Sequence, residues 1–176
     1  MRNADKSAHI TLRPLVKSEW ATVKDLRLQA LKTEQGVFVS SFDSEAIRSP
    51  QEWQETIQGA DHQVFGLFNR VQLIGLTAVF TYRDDPSGQT ALLAYSFISP
   101  QFRGLGLSRL LYEGRLNWIK SRPQFKRVVV SHRASNERSR RAILRHGFTM
   151  SGESRRTWPD GTTERELSYH MNLYEE

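Results

Sequence analysis

Apolar and polar residues alternate over residues 9–13, which puts Ile10 and Leu12 on one face of a strand that ends at Pro14. The spacing then turns helical: Trp20, Val23, Leu26, Ala30 and Leu31 recur on one side of a segment reaching about residue 34, with Ser18 as its N-cap. After the less patterned residues 36–43, Ser49-Pro50-Gln51-Glu52 starts a second helix, with Pro at the first helical position and an acid in the first turn. It runs to about residue 58. Residues 63–68 and 73–82 are rich in β-branched and aromatic side chains and are split by Asn69-Arg70, which predicts an antiparallel hairpin. Residues 90–99 are nearly all apolar and end at Pro100, the pattern of a strand covered on both faces. Residues 104–120 read as a helix with Leu107, Leu110, Leu111 and Trp118 on one side. A second buried strand follows at 127–132, then a helix from Ser135-Asn136-Glu137 to about residue 145. Strands 148–157 and 162–173 are joined across Pro159-Asp160-Gly161.

This order predicts one α/β (α+β) domain over residues 1–176, with tails loose at about 1–7 and 174–176. Its sheet is mixed but mostly antiparallel, of about seven strands flanked by about four helices, with a β-α-β unit in the second half. A chain of 176 residues is long enough for one sizeable core and short for two. With no cysteine, the chain offers no disulfide, no thiolate-held zinc and no acyl-cysteine intermediate. The apolar runs are far short of a membrane span and the first nine residues are polar, so a soluble, cytoplasmic protein with no membrane partner is expected.

Charge changes the picture only when it is located. Residues 101–165 hold 15 Lys and Arg against 5 Asp and Glu, whereas the remainder holds 10 against 14. Such a block suits an anionic partner, either nucleic acid or a phosphate-bearing cofactor, or is a solvated basic surface. Its most informative stretch is Ser99-Pro100-Gln101-Phe102-Arg103-Gly104-Leu105-Gly106-Leu107-Ser108, between a strand and an amphipathic helix. Glycines there let unpaired N–H groups at the helix start converge on one anion, where the helix dipole adds favourable potential. An ordinary tight turn uses the same glycines, but it has no need of the adjacent Arg103. The spacing is not that of a P-loop or of a dinucleotide-binding fingerprint.

The loop resembles the acetyl-CoA loop of the GNAT superfamily of N-acetyltransferases, Arg/Gln-x-x-Gly-x-Gly/Ala, read here as Arg103-Gly104-Leu105-Gly106-Leu107-Ser108 with Ser in the last small position. A second segment, Asn136-Glu137-Arg138-Ser139 through Arg145-His146-Gly147-Phe148, looks like the family's Asn-led helix ending in Gly-Phe. Within it Ser139 resembles the serine of the branch that includes ribosomal-protein N-terminal acetyltransferases. The two motifs stand in the family's order, and the resemblance covers most of the chain, least over residues 36–61.

The resemblance implies an acetyl-CoA-dependent enzyme, without metal, that moves an acetyl group to a primary amine by direct attack on the thioester. Backbone groups of Phe97 and Ile98 are then expected to hold the pantetheine arm and thioester, with the Ile98 N–H as oxyanion donor. Arg103, Gly104, Leu105, Gly106, Leu107 and Ser108 take the pyrophosphate, and Asn136 bonds the cofactor arm. Arg109, Arg138, Arg140 and Arg141 are nearby candidates for further phosphate contacts. Many relatives carry a Tyr general acid at the position of Ile143, so that acid is missing, and Ser139 becomes the candidate near the thioester sulfur. His132, on the strand bordering the cleft, is the candidate base, against the plain reading of a hydrogen-bonded strand histidine. Asp43, Glu45, Tyr82 and Asp84 lie in segments around an acceptor pocket with surface or capping roles as the default, and Tyr95 reads as core.

The acceptor class stays open between a small amine and a protein or peptide amine. A catalytically silent acyl-CoA-binding regulatory domain is the alternative, prompted by Ile143. A nucleic-acid binder is disfavoured, because Phe102, Tyr112, Trp118, Phe125, Phe148 and Trp158 fall at core-like spacing, not interleaved with the charges. An exposed strand near the C-terminus allows a homodimer.

Overall fold

The alternating start becomes β1 (Ile10–Pro14), an edge strand antiparallel to β2 (Gln63–Asn69) in a computed structural model that describes residues 9–174. The expected loose tail at 1–7 lies outside the described residues. β2 turns into β3 (Gln72–Thr81), which pairs antiparallel with β4 (Thr90–Ile98). β5 (Arg127–Arg133) is parallel to β4, and β6 (Thr149–Thr157) and β7 (Thr163–Asn172) complete one seven-stranded sheet in the order β1-β2-β3-β4-β5-β7-β6. The single parallel contact requires a crossover, which the expected β-α-β unit supplies.

The described residues form five α-helices: α1 (Trp20–Thr33), α2 (Phe42–Ala46), α3 (Pro50–Ile57), α4 (Ser108–Lys120) and α5 (Glu137–Arg145). The apolar stripe of α1, Val23, Leu26 and Ala30, joins Ile57 of α3 against Val64, Leu76, Ala78 and Phe97 on one face. On the other face Tyr112 and Ile119 of α4 and Ile143 of α5 pack with Phe65, Val79, Leu93, Val128, Val130 and Tyr169. Each such large apolar side chain contributes roughly 1.5–3 kcal/mol when fully removed from water.

Local chemistry explains where boundaries differ from the pattern. Ser18 is not the cap of α1: it sits inside a 3-10 turn, Lys17–Glu19, and the Glu19 carboxylate accepts from the Val16 N–H at 2.9 Å instead. The cap of α3 is as the sequence predicts, with Ser49 Oγ accepting from the Glu52 N–H at 3.3 Å and the Glu52 carboxylate accepting from the Ser49 N–H at 2.7 Å. The short α2, capped by Ser41, starts at the end of the unpatterned stretch and runs past it. α4 starts at Ser108, because Gly104 (φ +77°) and Gly106 (φ +72°) have the left-handed backbone that a right-handed helix excludes.

The two apolar strands are not covered on both faces. Leu92, Ala94, Tyr95 and Ile98 of β4 are half-buried and Ser96 is exposed, while β5 alternates buried with half-buried residues. Their less covered residues line a cleft that opens where the two strands part, and that cleft is the site.

Candidate active site

β4 and β5 are paired only over Thr90↔Arg127, Ala91↔Val128 and Leu92↔Val129. Beyond Leu92 they part, and a cleft of about 1010 Å³ opens between them. A β-bulge turns β4 away: Leu76 faces Phe97 and Ala78 faces Ala94, so two steps along β3 match three along β4. The extra residue is accommodated at Tyr95, whose φ of +62° costs a non-glycine residue about 1–2 kcal/mol. The surroundings hold it there: the Tyr95 ring packs edge-on to Phe80 and face-on to the Arg27 guanidinium.

Past the bulge, the Ser99 N–H donates to the Ile74 carbonyl at 2.8 Å. Bonded and unbonded pairs alternate in an antiparallel ladder, so the Gly75↔Ile98 pair is unbonded and the Ile98 N–H and C=O face away from β3, toward the gap. Arg103 Nε donates to that carbonyl at 2.8 Å, and the Ile98 N–H lies beside it on the same edge.

The glycine loop follows. A Cβ on Gly104 or Gly106 would meet nothing within 4 Å, so both backbones are approachable from outside. Leu107, the N-cap residue of α4, provides no side-chain cap, and no acid stands in the first turn, so the leading N–H groups have no internal anion. Arg103 is ion-paired with Glu34 at the end of α1, and Arg138 of α5 reaches the same carboxylate at 3.4 Å. One internal carboxylate thus gathers two of the arginines expected to serve phosphate. Of the other arginines, Arg109 pairs with Glu113 at 2.9 Å and Arg140 with Glu137 at 3.5 Å. These features fit CoA: approachable glycines, an uncapped helix start and two arginines held by an exchangeable carboxylate.

The structure brings Asn136, Ser139, Ile143 and His132 together along the cleft, with Tyr112 and Tyr169. Asn136 caps α5, its Oδ1 accepting from the Ser139 N–H at 3.2 Å, which leaves its amide NH2 for other use. Ile143 is 1% exposed and presents only a methylated surface. His132 is buried, and Nδ1 lies 2.7 Å from the Arg133 carbonyl, so Nδ1 carries the proton and Nε2 accepts from the Tyr169 hydroxyl at 3.2 Å. Burial is the main cause holding the His132 pKa below its ordinary value.

Three features were not legible residue by residue. Tyr169 backs His132 from a strand 37 positions away. Glu166 of β7, 7% exposed, borders the cleft and accepts from Ser131 Oγ at 2.6 Å and from Arg156 Nε at 2.7 Å. Glu45, expected at the surface or as a cap, is buried against Arg27 in a two-bond ion pair. Of the other acceptor-side candidates, Tyr82 and Asp84 line the cleft, whereas Asp43 lies exposed in the first turn of α2. Burial, then a hydrogen bond with Asp84, raises the Tyr82 pKa.

No curated protein matches the sequence. Among solved structures, an acetyltransferase of the GNAT family from Streptococcus pneumoniae superposes with a TM-score of 0.80 at 13% identity, covering 93% of this chain and 99% of that one. A putative acetyltransferase from Salmonella typhimurium, solved with its cofactor acetyl-CoA, gives 0.80 at 17% identity over 96% of each chain. A ribosomal-protein-S5-alanine acetyltransferase from Vibrio fischeri gives 0.76 at 15% identity over 93% of each. At these identities the likeness is one of fold. The sequence itself matches the family model described as Acetyltransferase (GNAT) domain over residues 9–149, which takes in the parted strands, the glycine loop and the Asn-led helix; the chain belongs to the GNAT acetyltransferases.

Proposed function

We propose that this acetyltransferase moves the acetyl group of acetyl-CoA directly to a primary amine, without an acyl-enzyme. The observation that carries the reading is the gap between β4 and β5, which exposes the Ile98 edge between the glycine loop on one side and a polar pocket on the other. Acetyl-CoA supplies an activated thioester, and the chain's contribution is positional and electrostatic. The N–H groups of residues 104–108 take the pyrophosphate, while Arg103 and Arg138 exchange the Glu34 carboxylate for phosphate oxygens. The Ile98 N–H donates to the thioester carbonyl oxygen as it gains charge, a contact worth about 10²–10³ in rate. The free NH2 of Asn136 bonds the cofactor arm.

Ser139 Oγ donates toward the departing sulfur in place of the tyrosine that Ile143 replaces; a thiol with a pKa of about 8.5 is also a tolerable leaving group unaided. On the acceptor side Asp84 lines the cleft and draws in the ammonium form of the amine, while Glu166 on the same wall is paired with Arg156. His132 then takes a proton through the Tyr169 hydroxyl that Nε2 already accepts from. The acceptor is a small amine or the amine of a peptide or protein, as the ribosomal-protein acetyltransferase among the fold relatives illustrates.

Titration of CoA into the wild type and Gly106→Trp tests the cofactor half of this reading. Gly106 has a φ of +72° and open space around it, so an indole there strains the turn and fills the pyrophosphate approach. Saturable binding to the wild type and none to the variant is expected, with both chains showing the same far-UV spectrum. Equal binding by the two proteins would contradict it.

A further inference from the structure

We infer that Arg27 recognises the acceptor and that the acceptor is an α-amino amide, the chemistry of a peptide's amino end, in preference to a free amino acid or an alkylamine. The inference rests on the reading of the cleft as an acetyl-transfer site and names the substrate class of that site.

Arg27 stands on the buried stripe of α1 and is 2% exposed. Its Nε and Nη2 donate to the two oxygens of Glu45 at 3.0 and 2.8 Å. The guanidinium plane is covered on the Tyr95 ring at 3.8 Å and on Phe38 at 4.7 Å. Four contacts fix the group, yet its third nitrogen, Nη1, is buried without any hydrogen-bond partner. Leaving such a donor unmet costs free energy, and an acceptor atom brought to it by a ligand would recover that cost. Arg27, Phe38 and Tyr95 all border the cleft. Tyr95, whose ring the guanidinium covers, is also the bulge residue, three positions before Ile98, so Arg27 borders the cleft beside the bulge.

Charge decides which acceptor group suits it. Glu45 already neutralises Arg27, so the pair is neutral as a unit. A ligand carboxylate on Nη1 would bring an uncompensated negative charge into a buried place, whereas an amide carbonyl oxygen accepts the same bond without one. An alkylamine offers Nη1 nothing. The acceptor's own ammonium has Asp84 on the cleft wall.

The test compares acetylation of L-alaninamide, L-alanine and isopropylamine, which differ only in the group beside the amine-bearing carbon, and of the matching serine and phenylalanine sets. The wild type is expected to favour amides in kcat/KM by roughly tenfold or more, the worth of one hydrogen bond to a charged donor. Arg27→Met strands the Glu45 carboxylate and is prone to misfold, so the variant used is Arg27→Met with Glu45→Met, which removes both charges and is expected to fold and to lose the preference. Glu45→Gln leaves Arg27 unneutralised and is expected to shift preference from alaninamide toward alanine. Equal kcat/KM for amide, acid and alkylamine, or a preference that survives in the double variant, overturns the inference while leaving acetyl transfer standing. Acetyl-CoA binding is titrated separately, and its absence in the wild type overturns the underlying reading instead.

Discussion

His132 and Ser139 share a cleft wall but are held differently, and each makes its own prediction. Both ring nitrogens of His132 are engaged by Arg133 and Tyr169, and burial lowers its pKa. A histidine that folds neutral must be charged as pH drops, so its contribution to stability is complete above the ordinary value of about 6.5 and is lost progressively below it. Urea midpoints measured from pH 8 to 5 are expected to fall on the acid side, and His132→Asn is expected to flatten that fall. Ser139 bears only on catalysis: Ser139→Ala is expected to lower kcat by about 10²-fold at unchanged CoA affinity, the scale of a lost proton donor. Steady-state kinetics beside a CoA titration separates the two parameters. At this scale the glycine loop was legible because a left-handed backbone demands glycine locally. Arg27 was half legible: it stands four residues after Val23 and one after Leu26, on the helix's buried stripe, but its partner Glu45 lies on another helix. His132 could be placed on its strand, yet Tyr169, whose hydroxyl meets its Nε2, belongs to a strand brought alongside only by the fold.

Elements were legible where periodicity is local and missed where register decides. The hairpin, the Asn-led helix and the crossover helix follow from spacing and caps. The bulge does not, because it is a mismatch between β3 and β4 that neither strand contains alone. For the same reason residues 90–99 look covered on both faces until β5 is seen to part from β4 beyond Leu92. Glu166 suffers similarly: alternation over 163–172 makes it an outward residue, but Ser131 and Arg156 from flanking strands enclose it. Arg133 fastens the β6–β7 turn, bonding Asp160 at 2.6 Å, pairing with Glu164 and reaching the Gly36 carbonyl at 3.1 Å in the segment after α1. That bond, followed by those from Thr162, brings the Asp160 pKa down to about 2. A lowered carboxylate stabilises the fold above its unfolded value and loses that contribution as pH falls through the folded one. Between about pH 4 and 2 the turn is expected to lose hydrogen-exchange protection relative to the intrinsic rate at each pH, and Asp160→Asn is expected to show the lower protection already at neutral pH.

Over the whole molecule, the basic block turns out to be consumed partly from within. Arg133, Arg156 and Arg165 pair with acids of the last two strands or their turn, and Arg103 and Arg138 converge on Glu34 beside the glycine loop. This arrangement serves a compact phosphate ligand better than an extended nucleic acid, which needs a continuous basic track with stacking aromatics. α1 and α3 on one face and α4 and α5 on the other hold a sheet that is split at its middle, and the split joins the loop to the acceptor pocket. The most direct test of the account is stoichiometric: acetyl-CoA consumption followed by thiol release, with the acetylated amine weighed by mass spectrometry across small amines and amino-terminal peptides. One thiol released per acetyl group gained by an amine, with no acetylated enzyme at any time, is the predicted result. Tight CoA binding with no amine-dependent thiol release from any acceptor, or an acetyl group found on the enzyme, would contradict it.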